Sequence, residues 1–321
     1  MTVVRLAVLA LTLNSTGAIG FAQCVCDCDE SGQVTIAEVS SSVEIALLRT
    51  HLASCSAADA NHDRTVTVDE IVDGQRSSLD PRCRARWQRI DQECVAAGCF
   101  QGDDAGFPVE ISSPGAYRLA SNLNVPNGAT TAVLILAEAV DLDLDGFGIF
   151  GVTNCTGVPV TTCTQAGAGS GIVGGDNATI HNGSVRGHGR DGLSLGRNTR
   201  IVGLRVSSNG GGGVRVSSGS SIRDSTIVGN GGPGVDATAN HGADVDSCVI
   251  VGNSQDGVRI AGGLVSRNHI SENRGLGINA NIAAKAAAYV SNSVRDNASP
   301  QVSGGILLGC NLIGSQRSCS E

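Results

Sequence analysis

The segment Ile201-Val202-Gly203-Leu204-Arg205-Val206-Ser207-Ser208-Asn209-Gly210-Gly211-Gly212-Gly213-Val214-Arg215-Val216 is answered by Ile222-Arg223-Asp224-Ser225-Thr226-Ile227-Val228-Gly229-Asn230-Gly231-Gly232-Pro233-Gly234-Val235-Asp236-Ala237. Both obey one template: apolar, four residues, apolar, two residues, Asn or His, three residues, Gly, then apolar, any, and apolar or small. Outward from this pair the template recurs at Ile180/Val185/His188/Gly192/Leu193, at Val245/Ile250/Asn253/Gly257/Val258 and at Val265/Ile270/Asn273/Gly277/Ile278. A sixth copy, Tyr289/Val294/Asn297, reaches Gly305-Ile306 only if four residues are inserted. The five full copies start 20 to 23 residues apart, a period that suits one coil of a solenoid whose repeats bury a core only by stacking.

In such a stack, equivalent positions in successive coils lie about 4.8 Å apart. The apolar positions form inward ladders, and the column Asn209, Asn230, Asn253, Asn273 and Asn297 forms an amide ladder in which each side chain bonds the next. The glycine four residues after each amide suits a bend of positive φ. Helical repeats are excluded by the 44 glycines and by β-branched residues at the apolar positions. Upstream, Val140-Asp141-Leu142-Asp143-Leu144-Asp145 alternates as a half-buried strand, with Leu142 and Leu144 on one face and Asp141, Asp143 and Asp145 on the other. With Val133-Leu134-Ile135-Leu136 it would build the first coils and a cap.

This repeat and its ending around Gln301-Val302-Ser303-Gly304-Gly305-Ile306 resemble secreted bacterial proteins of the right-handed parallel β-helix, or pectin-lyase-like, superfamily. The resemblance covers residues 107–319 and is one of fold and repeat. It implies an all-β, right-handed parallel β-helix of roughly 21-residue coils, preceded by a small α-rich module.

Residues 1–22 read as a signal peptide, with Arg5, an apolar run from Leu6 to Leu13, and small residues Gly20 and Ala22 before Gln23. Cleavage after Ala22 is expected, with lipidation at Cys24 the alternative. The apolar run is far short of the roughly 20 residues a membrane span needs, so the mature chain is expected outside the cytoplasm, secreted or periplasmic, and monomeric. Twelve cysteines suit an oxidising compartment. Cys155/Cys163 and Cys310/Cys319 are spaced as local staples, and Cys248 is left as a buried thiol. A net charge of −8 and 2% aromatic residues exclude a nucleic-acid partner, which needs a basic stripe and rings to stack on.

Residues 23–100 form the expected cysteine-rich module, with the β-helix over 101–321. Two 12-residue windows in the module match calcium loops. Their ligand positions are Asp27, Asp29, Ser31, Gln33, Thr35 and Glu38, then Asp59, Asn61, Asp63, Thr65, Thr67 and Glu70. Val34 and Val66 occupy the positions where paired loops exchange a short β-bridge. Arg64 stands where glycine usually relieves a left-handed turn, at a cost of about 1 kcal/mol. A helix follows the first loop, carrying Val39, Val43, Ala46 and Leu47, but only four mature residues precede Asp27, too few for an entering helix. This loop-then-helix unit resembles the dockerin half-hands of secreted polysaccharide-degrading bacteria, which implies Ca²⁺ as cofactor and a cohesin-like protein as a possible kind of partner. The alternative is that calcium only folds the module.

For catalysis, the middle residues of the glycine-led strands form a column: Ser194, Arg215, Asp236, Arg259 and Asn279. Asp236 between Arg215 and Arg259 could serve uronate binding or β-elimination by a polysaccharide lyase; the same alternation is a surface ion-pair ladder. Gly187-His188-Gly189 resembles the Gly-His-Gly of polygalacturonases, but His188 falls in the amide-ladder register and reads as its cap. The sequence therefore favours a non-catalytic extracellular recognition or structural protein, with an extracellular polysaccharide as candidate partner and a uronate-glycan lyase as the competing function.

Overall fold

The computed structural model describes residues 24–28, 34–61, 63–79, 87–239, 242–281, 287–298 and 300–320. The expected signal peptide, residues Asp29, Ser31 and Gln33 of the first loop, and His62 within the second loop, a residue expected to be solvent-exposed, lie outside them. The chain divides into two compact units, residues 1–86 and 87–321.

In the first unit, α1 (Ile36–Ala46) and α2 (Val68–Leu79) follow the two loops. Thr35 caps α1 in a reciprocal box with Glu38, three residues in, which satisfies orphan amides of the first turn. Val34 and Val66 share one small cluster with Cys26, Ile45, Cys55 and Ala58. They act there as core residues; neither is assigned to a β-bridge. A disulfide joins Cys28 to Cys55, while Cys26 is a buried thiol.

The second unit is a parallel β-solenoid of about nine turns, one for each strand of a nine-stranded sheet. All but two of the other strands form an 18-stranded sheet that takes two runs from each coil. Within strand Arg200–Ser207, for example, residues 200–202 lie in its entry half and residues 205–207 in its exit half. Residues 87–100, assigned from sequence to the cysteine-rich module, belong with this unit, since Gln88–Ile90 pairs in parallel with Gly115–Leu119. The expected inward ladders are buried: Ile180, Ile201, Ile222, Val245 and Val265 on one wall, Val185, Val206, Ile227, Ile250 and Ile270 on the next, and Leu193, Val214, Val235, Val258 and Ile278 on the third.

The amide ladder is continuous. Asn209, Asn230, Asn253 and Asn273 each donate from Nδ2 to the next Asn Oδ1 at 2.8–2.9 Å. His188 heads the column, its amide donating to Asn209 Oδ1. Gln301 closes it, accepting from the backbone amide and Nδ2 of Asn297. A second ladder, not anticipated from sequence, runs through Cys248, Asn268, Asn292 and Asn311 at the bend between the two halves of the large sheet. Cys248 is therefore a ladder member, and burial pushes its thiol up to about 11.

Two sequence expectations are corrected. The template glycines do not adopt positive φ. They are required by close approach: a Cβ on Gly234 would stand 2.6 Å from Ile250 Cγ2, 2.7 Å from the Gly257 carbonyl and 2.9 Å from Asn253 Nδ2. Positive φ falls instead on the residue just before each ladder side chain, as at Ser208, Gly229 and Gly252. The sixth coil also needs no insertion, because Ile278 is in register with Val302. Gln301 occupies the glycine position there, next to the last amide of its ladder.

One excursion interrupts the coils. The strands Asn154–Thr156 and Thr162–Thr164 form an antiparallel hairpin tied by the Cys155–Cys163 disulfide. Cys310–Cys319 similarly ties the final antiparallel pair, so both expected staples are present.

Candidate functional site

In the second loop, all six expected ligand positions are described. Glu70, buried at the N-terminus of α2, accepts from the amides of Ala60 and Thr67 at 2.9 and 2.8 Å and from the Thr67 hydroxyl at 3.0 Å. Asp59, also buried, accepts the amides of Asp63 and Arg64. Asp63 accepts the amide and hydroxyl of Thr65 and receives Asn61 Nδ2. The side-chain bond from Thr65, followed by its amide, holds the Asp63 carboxyl below its ordinary range. Burial opposes ionisation of Glu70, but its bonds from Thr67, Asn61 and Ala60 outweigh that and hold its carboxyl low. Arg64 adopts φ +72° at the expected left-handed position.

The first loop repeats the pattern in its described residues: Glu38 accepts the amides of Cys28 and Thr35, and Asp27 is buried. Oxygen donors in two equivalent loops have the chemistry a hard cation requires. The same Thr-x-x-Glu spacing also makes the capping box, so each Glu has a structural role of its own. Among the described residues no three Asp, Glu, His or Cys side chains converge as a metal cluster.

The expected column on the nine-stranded sheet is in register, Ser194 beside Arg215, then Asp236, Arg259 and Asn279. Its charges are partnered locally. Arg215 Nε lies 3.5 Å from the buried Asp191, and its Nη2 3.9 Å from Asp236. Asp236 Oδ1 accepts the Thr238 hydroxyl at 2.7 Å. Arg259 turns to Asp256 at 3.4 Å, so the symmetric Arg-Asp-Arg arrangement expected for Asp236 does not form. Instead Asp191 and Asp256 join the array; each accepts a backbone amide of the following coil, from Gly212 and Leu276.

The Asp141/Asp143/Asp145 cluster draws in two basic side chains that sequence reading did not connect with it. His181 Nε2 is 3.0 Å from Asp141, and Arg118 reaches Asp145 at 2.5 Å and Asp143 at 3.6 Å. Strand register brings them together, since Arg118, Asp143 and His181 are neighbours across three coils. His188, by contrast, is sealed inside. Its Nε2 meets the Ile149 carbonyl at 3.2 Å, its Nδ1 has no partner among the described residues, and burial pushes its pKa down to about 4.

The model of the family described as the right handed beta helix region matches residues 166–313. Among solved structures, the A-module of the mannuronan C-5 epimerase AlgE4 of Azotobacter vinelandii is similar over 69% of this chain and 74% of that chain, at 14% identity and a TM-score of 0.36. The Dettilon tailspike protein gp208 is similar over 64% of this chain and 49% of that chain, at 15% identity and a TM-score of 0.31. No curated protein matches the sequence.

Proposed function

We propose that this β-helix protein is an extracellular, non-catalytic recognition scaffold whose N-terminal unit takes calcium for folding. The observation that carries the reading is the internal neutralisation of the Arg215/Asp236/Arg259 column. Asp191 and Asp256 occupy the arginines, and Asp236 is tied to Thr238. Such an arrangement fixes coils against one another and balances the charge of both arginines with carboxylates of the solenoid itself. The four disulfides among the described residues suggest an extracellular protein, and no helix among those residues is long and apolar enough to cross a membrane. In the N-terminal unit, Asp59, Asn61, Asp63, Thr65, Thr67 and Glu70 would hold calcium, with Asp27, Thr35 and Glu38 in the sister loop. A cohesin-like partner is the alternative use of that unit.

The competing reading is a uronate-glycan lyase, favoured by the approach of Arg215 to Asp236. An ultraviolet assay for unsaturated uronate products, run over pectic, alginate and glycosaminoglycan chains with calcium and then chelator, separates the two. The scaffold reading expects a silent panel from folded protein. Calcium-dependent product that disappears in Asp236→Ala would overturn it.

A further inference from the structure

The exit half of the large sheet carries a roofed cationic cleft outside the Arg215/Asp236 column. Its roof is the disulfide-closed hairpin, which leaves its own coil after Thr153, whose amide still bonds the Gly187 carbonyl of the next coil, and folds over the coils that follow. The Val160 amide at its tip donates to the Gly252 carbonyl at 2.9 Å, and Val160 is buried. Glycines lie beneath it, so that a Cβ on Gly229 would stand 3.8 Å from Val160 and one on Gly252 3.3 Å from Val158. Between hairpin and sheet lies a cleft of about 440 Å³ lined by Phe150, Ser184, Arg186, Arg205, Ser207 and Val228, among others. That volume falls in the range of small-molecule sites, roughly 300–1,000 Å³.

The two arginines set the chemistry. Arg186 is in register with Phe150 and Ser207, and Arg205 with Ser184 and Thr226. They therefore sit diagonally, one coil and two residues apart, about 8 Å between Cα atoms by ordinary strand spacings. Neither pairs with a carboxylate among the described residues, although the chain has 30 acidic residues against 22 basic ones. Elsewhere on the solenoid Arg197, Arg215 and Arg267 have carboxylate partners, while Arg200, Arg223 and Arg274 form no ion pair among the described residues; what sets Arg186 and Arg205 apart is that both line one roofed cleft. No Asp or Glu lines the cleft. The Arg186 guanidinium lies 6.0 Å from the centroid of the half-buried Phe150 ring, which steadies the fork through a cation–π contact.

The geometry points to this cleft as a binding site for a sugar unit bearing a carboxylate or sulfate, an inference that rests on the recognition-scaffold reading and names its ligand. A planar guanidinium grips such an anion with two parallel hydrogen bonds. Ser184 and Ser207 bond ring hydroxyls, and Phe150 supplies an apolar wall for the sugar C–H face. Arg205, one coil on, takes a second anionic group or the far side of the first.

The test is calorimetric titration of the whole secreted chain with a uronate oligosaccharide, a sulfated oligosaccharide and a neutral one of equal length. Binding of either anionic chain, weakened by salt and absent for the neutral chain, supports the site, and the preferred chain identifies the anion. Arg186→Gln and Arg205→Gln should each weaken binding ten- to hundredfold. Arg186→Lys and Arg205→Lys should recover part of it, and the exposed Arg274→Gln should change nothing. Unchanged thermal midpoints exclude misfolding as the cause. No binding of either anionic chain to folded protein overturns the inference. Binding that survives both glutamine variants overturns it too, while leaving the scaffold reading intact. Product release that falls with these variants would support the site and overturn the non-catalytic reading alone.

Discussion

Asn253 in the solenoid and Glu70 in the N-terminal unit are both buried polar side chains whose oxygens accept hydrogen bonds, but on different scales of sequence. Asn253 is bonded to Asn230 and Asn273, 23 and 20 residues away. Glu70 is bonded to groups 3 to 10 residues away. The apolar cores differ in the same sense: six buried apolar side chains cluster among the described residues of the first unit, and more than forty line the solenoid. A repeat whose polar groups are satisfied only by its neighbours is stable as a stack and in no smaller piece. A small unit built on local bonds instead needs disulfides or a bound ion to supplement its core.

The largest expected effect comes from breaking the long-range side of that contrast. Asn253→Ala leaves the Asn230 backbone amide and Nδ2 without their acceptor in a dry interior. It should destabilise the solenoid by about 3–5 kcal/mol, read as a lower denaturant midpoint for the solenoid transition while the N-terminal transition stays in place. Equal loss in both transitions would show that the two units unfold together.

Next in size is the acid sensitivity at the head of the ladder. His188 is depressed in the folded state from 6.5 to about 4, so between those values the unfolded chain binds a proton that the folded chain refuses. Stability from this group is full above pH 6.5 and is lost as pH falls toward 4, by up to about 3 kcal/mol. His188→Asn should remove that pH dependence, because an amide there extends the ladder without a titratable group. Thermal midpoints across pH 4–7 for both proteins test this.

The smallest effects belong to the local side. Calcium at a hundredfold excess over its dissociation constant should stabilise the N-terminal unit by about 2.7 kcal/mol and leave the solenoid unmoved, with chelator reversing the shift in a calorimetric scan. Arg64→Gly should add about 1 kcal/mol to the same unit by relieving φ +72°. A solenoid midpoint that follows calcium would break the comparison.

The periodic features were legible because side chains alternate faces along a strand and identical coils stack in register, so offsets of five and eight residues from Ile201 name the inward and ladder positions directly. The role of Gly234 was not legible, since positive φ and a crowded Cβ demand the same residue and only the coordinates distinguish them. Gln301 was misplaced for a related reason: the glycine rule lapses at the last coil, where the space beside Asn297 is open to a side chain. Arg186 and Arg205 lie outside the glycine-led strand, and their meeting depends on the register of two coils. The signal that could have found them is an arginine on either side of the Val185/Val206 ladder, one after and one before. For the two loops expected to take calcium, spacing anticipated the left-handed Arg64, and the capping box is a use of the same Thr and Glu that holds whether or not an ion binds.

The sequence by itself determined the β-solenoid, its coil length, its inward ladders and the Asn209–Asn297 amide column, because these depend only on periodicity and the chemistry of stacked identical groups. The tertiary structure alone decided which charges meet. Ion partners such as Asp191 with Arg215 and Asp143 with Arg118 come from different coils, and the hairpin 154–164 is laid over Arg186 and Arg205 by a bond to Gly252. Contacts of this kind depend on how side chains and loops turn once the coils are stacked, and that direction is not carried by the spacing of residues along a chain.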